Sequence, residues 1–206
     1  MNGYYSLMPT RLVHVTGGPE AGTEYNLDVA CKKCGSGALV VGPLLLPAFR
    51  QPKEPVFQTL TREVLVSSKV GSILREVGVD CLQEVRNART RELVAYFELR
   101  PSVVLPPFSD RTVGIERENP CPVCKRDGFF GIPYTALTLV YQEKDRPSFS
   151  ESKVMATFER FGNSVLREPF CDSVFAAPRM IIDSDVYDAL RDNGVLGVEF
   201  EPVLII

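Results

Sequence analysis

Four cysteines stand in two pairs of identical spacing, Cys31-Lys32-Lys33-Cys34-Gly35 and Cys121-Pro122-Val123-Cys124. A Cys-x-x-Cys turn brings two thiolates close enough to grip one metal ion from one side, and two such turns supply four soft sulfur ligands. That donor set predicts a closed tetrahedral Zn²⁺ site with no position left for water, so the expected metal is structural. Between Cys34 and Cys121 lie 86 residues, far more than the short gap of a simple zinc ribbon; the ion is expected to tie distant stretches together. Disulfides, thiol–disulfide exchange and four thiols without metal are the competing uses. The start Met1-Asn2-Gly3-Tyr4-Tyr5 has neither the basic opening nor the apolar core of a secretory signal, which argues for a reducing compartment. Exchange needs a knuckle that opens a helix, and Gly35-Ser36-Gly37 and Arg126-Asp127-Gly128 are poor helix starts. Four thiolates on Zn²⁺ leave two surplus negative charges. Lys32, Lys33, Lys125 and Arg126 stand ready to offset them, or to form a small nucleic-acid patch.

Other chemistry is sparse. The one histidine, His14, sits in the alternating run Arg11-Leu12-Val13-His14-Val15, where a packed or surface residue is expected rather than a base. A single histidine excludes HExxH, and no GxxxxGK[ST] loop or strand-following GxGxxG occurs. Cys81 and Cys171 lack an evident basic partner and read as small buried hydrophobes. An enzyme is not expected. The formal net charge of −3 and pI near 5.4 give no basic field for DNA or RNA, and no apolar run reaches the length of a membrane span. With 206 residues and 45% hydrophobic content the chain can bury a sizeable core, and a cytoplasmic protein is expected.

The elements that must carry the knuckles follow from periodicity and punctuation. A strand near Leu12–Val15, a turn at Gly17-Gly18-Pro19 and a strand near Glu24–Val29 precede the first knuckle. Prolines make 42–55 an irregular connection. Val64–Val66 then reads as a strand, Ser67-Ser68 as an N-cap, Ser68–Val77 as an amphipathic helix, and Gly78 as its stop. Strands near Val79–Arg86 and Leu93–Leu99 follow, and prolines 101, 106 and 107 mark a seam. After the second knuckle come a strand over Thr135–Tyr141, a polar loop over Gln142–Ser152, and Met180–Ile182 as a strand. Asp183-Ser184 then caps a helix through Asp192, Gly194 stops it, and Val195–Phe200 is a strand. A shift of 116 lays Val64–Val79 on Met180–Val195 with six identities in sixteen positions, against about one by chance. The chain is expected to hold two related halves, roughly 1–105 and 106–206, each with one knuckle and a strand–helix–strand unit. The predicted fold is α+β: short, mostly antiparallel strands with few helices, in one two-lobed domain (1–206) joined by a four-cysteine zinc site.

The two knuckles, together with the ending Gly194-Val195-Leu196-Gly197-Val198-Glu199-Phe200-Glu201-Pro202, resemble the double-CXXCG motif immunity proteins of swarming bacteria. That family partners Sit-type swarm-inhibition lipoprotein toxins. Lys125 stands where the family motif has Gly after the second knuckle, at a conformational cost. The resemblance implies a non-enzymatic cytoplasmic protein that binds and neutralises one cognate toxin by occlusion, with no membrane partner. Asp185, Asp188 and Asp192 line one face of the second helix and form the candidate partner surface, suited to a basic toxin. A solvated helix face is the plainer account of the same residues. A zinc-dependent nucleic-acid or regulatory module and a thiol oxidoreductase using Cys31 and Cys34 are the alternatives.

Overall fold

Two stretches 116 residues apart build the same helix for the same reasons. Ser67 Oγ accepts the Val70 N–H at 3.4 Å and opens α1 (Ser68–Glu76), and Asp183 Oδ1 accepts the Val186 N–H at 3.0 Å and opens α2 (Ser184–Asp192). Gly78 and Gly194, both at positive φ, donate to the Arg75 and Arg191 carbonyls and end the two helices. Val70 and Leu74 from one helix, with Val186 and Leu190 from the other, then share a single core. The computed structural model describes residues 3–50, 52–162 and 176–206; Cys171 lies outside them.

Among the described residues there are fifteen strands. They are β1 (Tyr4–Pro9), β2 (Leu12–Val13), β3 (Glu24–Asn26), β4 (Leu39–Val41), β5 (Leu44–Leu46), β6 (Val56–Thr59), β7 (Val64–Ser67) and β8 (Leu82–Asn87). The rest are β9 (Leu93–Leu99), β10 (Ile115–Arg117), β11 (Phe129–Gly131), β12 (Leu139–Tyr141), β13 (Val154–Phe161), β14 (Ala177–Asp183) and β15 (Val198–Ile205). One sheet runs β2-β6-β7-β9-β8-β5 and the other β12-β15-β1-β14-β13, while β3-β4 and β10-β11 are separate antiparallel ribbons. The fold is α+β, mostly strands, in two lobes.

Without β2, the order β6-β7-β9-β8-β5 matches β13-β14-β1-β15-β12 strand for strand. Directions agree too: β5 is parallel to β8 and β12 to β15, and every other pairing is antiparallel. β7 and β8 each run antiparallel to β9, and so parallel to one another. The unit is a βαβ split by a third strand. In the second lobe that third strand is β1, from the opposite end of the chain. The expected division at 105/106 is corrected here: Tyr4–Pro9 belongs to the second lobe. The two outer strands are closed alike. The Thr23 hydroxyl accepts the Leu45 N–H at 3.0 Å, and Thr112 Oγ1 accepts the Val140 N–H at 3.0 Å, so neither edge is left bare.

The lobes differ where their helices meet the middle strand. Phe97 of β9 lies against Gly71 of α1, with the Arg75 guanidinium 4.1 Å from its ring centre. At the equivalent place Tyr187 of α2 stacks on Tyr5 of β1 at 3.9 Å. Below the shared core each lobe has its own cluster, Leu44, Phe57 and Tyr96 in the first and Leu139, Tyr141 and Phe149 in the second.

Several expected bounds move. The 42–55 connection contains β5. The 142–152 loop is a 3-10 segment, Glu143–Ser150, opened by a capping box between Gln142 and Asp145. The last strand starts later and runs on to Ile205, and only Leu139–Tyr141 of the 135–141 run is strand. Cys81 is buried in the shared core, its thiol pushed up to about 11 by burial and by Asp80. His14 is exposed.

Candidate metal centre

Each knuckle caps a ribbon. β3 and β4 flank Cys31 and Cys34, and β10 and β11 flank Cys121 and Cys124, so two short hairpins present their thiols from their tips. The turns are made alike: Gly35 N–H donates to the Cys31 carbonyl at 2.8 Å, and Lys125 N–H to the Cys121 carbonyl at 3.0 Å. Both donors sit at positive φ, 71° and 54°. Gly reaches that region freely, whereas Lys125 takes it at a cost of about 1 kcal/mol or more. The departure from the Gly pattern thus leaves the turn itself unchanged.

The four sulfurs converge. All lie within 4.8 Å of one another, with Cys31 Sγ 3.8 Å from Cys121 Sγ and Cys34 Sγ 3.6 Å from Cys124 Sγ. A tetrahedral ion with metal–sulfur bonds of about 2.3 Å requires sulfur–sulfur edges of about 3.8 Å. A disulfide requires about 2.05 Å, and these thiols are free. The donor set therefore fits a metal ion. Cys34 and Cys121 are buried at 5% and 6% exposure, while Cys31 and Cys124 are partly exposed.

Backbone donors surround the sulfurs. The N–H groups of Cys34 and Lys33 point at Cys31 Sγ, that of Ser36 at Cys34 Sγ, and that of Arg126 at Cys124 Sγ. Burial nevertheless pushes the Cys34 and Cys124 thiols up. Cys31 is held down to about 7, because its backbone and thiol donors outweigh its burial. A divalent ion supplies the charge that these buried thiols need in order to ionise together.

Four cations flank the cysteines in sequence, and only one of them is inward. Lys32 turns back to the Leu27 carbonyl at 3.2 Å, and Lys33 and Lys125 are exposed. Arg126 is half-buried, its Nε donating to the Phe158 carbonyl and its guanidinium 4.4 Å from the Phe158 ring centre. Two further supports lie outside that set. Asp127, 2% exposed, accepts the Cys121 N–H at 2.7 Å and fixes the second turn. Arg160 on β13, in the second lobe, donates its N–H to the Arg126 carbonyl at 2.7 Å and so stands beside the second knuckle. Asp127 is signalled by its place in the knuckle, but nothing in the sequence near Arg160 points to the cysteines.

Asp185, Asp188 and Asp192 are exposed on α2, away from its buried Val186 and Leu190. Each has a cation: Asp185 pairs with Lys153, and Arg191 bridges Asp188 and Asp192 at 2.9 Å each. The face is acidic in sequence and largely compensated in space.

Compared with protein-family models the chain matches none, and it matches no curated protein. No helix among the described residues is long and apolar enough to cross a membrane.

Proposed function

We propose that the protein is an immunity protein, a non-enzymatic cytoplasmic body that binds one cognate bacterial toxin and neutralises it by occlusion. The carrying observation is the convergence of four sulfurs, two from each of two related ribbons, on one point between the lobes. A four-sulfur set is saturated and holds shape rather than substrate. Joined to the order of the knuckles and the ending Gly194–Pro202, it supports the resemblance to the double-CXXCG immunity family. Cys31, Cys34, Cys121 and Cys124 would hold Zn²⁺, which suits four thiolates and contributes a crosslink that stabilises the fold.

The proposed partner face is that of Asp185, Asp188 and Asp192. Their pairs with Lys153 and Arg191 are exposed and weak, so a basic toxin surface can displace the internal cations. The test is co-expression with the toxin encoded beside this gene: survival supports the reading, and death at the rate of toxin alone ends it. Asp→Asn changes at the three positions are expected to slow toxin association and reduce its salt dependence.

A second reading has its own observation. Lys32, Lys33 and Lys125 are all exposed at the knuckle tips, as a nucleic-acid module would place them. It predicts binding to DNA or RNA that weakens steeply with salt, and a flat salt response counts against it. Exchange chemistry draws on the lowered Cys31 thiol alone, and stoichiometric tightly held zinc would remove it.

A further inference from the structure

We propose that Arg160 is the internal counter-cation of the metal-loaded cysteine centre, a positioning residue that couples metal affinity to strand β13 of the second lobe. This rests on the metal reading above. Arg160 belongs to β13, in the second lobe's sheet, and its N–H donates to the Arg126 carbonyl at 2.7 Å, two residues beyond Cys124. Its side chain lines an inter-lobe cavity of about 170 Å³, whose wall also includes Gly35 and Gly37, just after Cys34. It therefore stands against the second knuckle and faces a cavity that the first knuckle borders.

The guanidinium is poorly compensated. Its Nη1 donates to the Ala176 carbonyl at 3.3 Å, and its Nε is buried without a partner. Among the described residues no carboxylate forms an ion pair with it. Arg100, on the same cavity wall, is the contrast: it holds Glu98 and donates to the Gly42 carbonyl at 2.8 Å. Burial and the Arg126 charge work against the guanidinium, whereas the Cys34 and Cys124 sulfurs, once ionised, favour it.

A half-buried guanidinium whose Nε is enclosed and unpaired is costly while the sulfurs are neutral thiols. It becomes favourable once four thiolates on a divalent ion carry two surplus charges. The exposed Lys33 and Lys125 are screened by solvent and serve this role poorly. The consequence is a pair of effects with opposite signs. Removing the charge should weaken metal binding and should also stabilise the metal-free chain. A residue that merely filled space would lower both.

The experiment uses the reduced full-length chain, its Arg160→Gln variant and its Arg160→Lys variant. Co²⁺ titration, read by sulfur-to-cobalt charge-transfer absorption, reports ligation, and competition for Zn²⁺ against a chromophoric chelator reports affinity. Arg160→Gln is expected to bind Zn²⁺ about tenfold or more weakly, as removal of an outer-shell partner does, with an unchanged cobalt spectrum. Arg160→Lys should keep most of the affinity, and the metal-free Gln variant should unfold at higher urea than the metal-free parent. Equal Zn²⁺ affinity in parent and Gln variant overturns the assignment, as does a Lys variant as weak as Gln. Absence of the charge-transfer band in the parent overturns the metal reading itself, a separate outcome.

Discussion

Glu159, next to Arg160, points the other way and is 5% exposed. Its Oε1 accepts the Phe108 N–H at 3.1 Å, whereas its Oε2 has no partner. Burial pushes its carboxyl up to about 7, against the pull of Arg126 and Arg117. An unfolded Glu ionises near about 4.3. Between those values the folded chain keeps a proton that the unfolded chain has lost, so folding stability falls as pH rises from about 4.3 to about 7. Glu159→Gln should remove that slope and gain up to about 3 kcal/mol at pH 8, with little change at pH 4. Urea midpoints at the two pH values measure it. The thiols give a second pH effect. Cys34 and Cys124 are pushed up by burial, so they are protonated at neutral pH until a metal arrives. Metal binding at pH 7 should therefore release at least two protons and weaken as pH falls. Calorimetry in buffers of different ionisation enthalpy counts them.

Among the elements, α1 and α2 show what the repeat preserved and what it changed. Gly71 and Tyr187 are equivalent positions, yet a Cβ on Gly71 would sit 2.7 Å from Phe97 Cδ2. Gly71→Ala improves helix propensity by about 1 kcal/mol and overpacks the contact by about 1–3 kcal/mol. A net loss of stability is expected, read from the thermal midpoint; a gain would show that the Phe97 ring yields freely. Both helices are legible in the sequence because caps, apolar faces and Gly stops are local signals, and so are the knuckles. The strands β5, β13, β4, β10 and β11 are not, whereas β3 falls inside the strand expected near Glu24–Val29. Leu44–Leu46 is hemmed by Gly42, Pro43 and Pro47, and becomes a strand only through distant β8 and the Thr23 hydroxyl. Strand β13 carries Glu159 and Arg160, charges whose burial depends on residues far along the chain. Strands β4, β10 and β11 are three residues each, too short for any period to show. The cysteine site is readable by spacing, whereas Arg160 is not, because β13 is brought beside the second knuckle by tertiary structure.

For the molecule as a whole, one core binds the lobes through α1 and α2, and the cysteine centre joins them again through the ribbons. These two joints differ in kind. The apolar one needs no ion, so chelation should leave the helices folded and loosen the ribbons. Hydrogen exchange after metal removal should quicken around residues 29–37 and 119–128, while Val70 to Leu74 and Val186 to Leu190 stay protected. Uniform loss of protection would mean that the ion holds the entire fold. Strand β1 carries a further consequence. It lies antiparallel to β15 with Tyr4 opposite Val203, just as β9 follows β8 in the first lobe by a tight turn over Asn87–Glu92. A short turn from the end of β15 into β1, with the backbone cut between Pro9 and Leu12, would rewrite the chain as two tandem copies of one pattern. Such a circularly permuted protein should fold, bind one metal ion and melt within a few degrees of the parent, its order of elements rotated and its architecture intact.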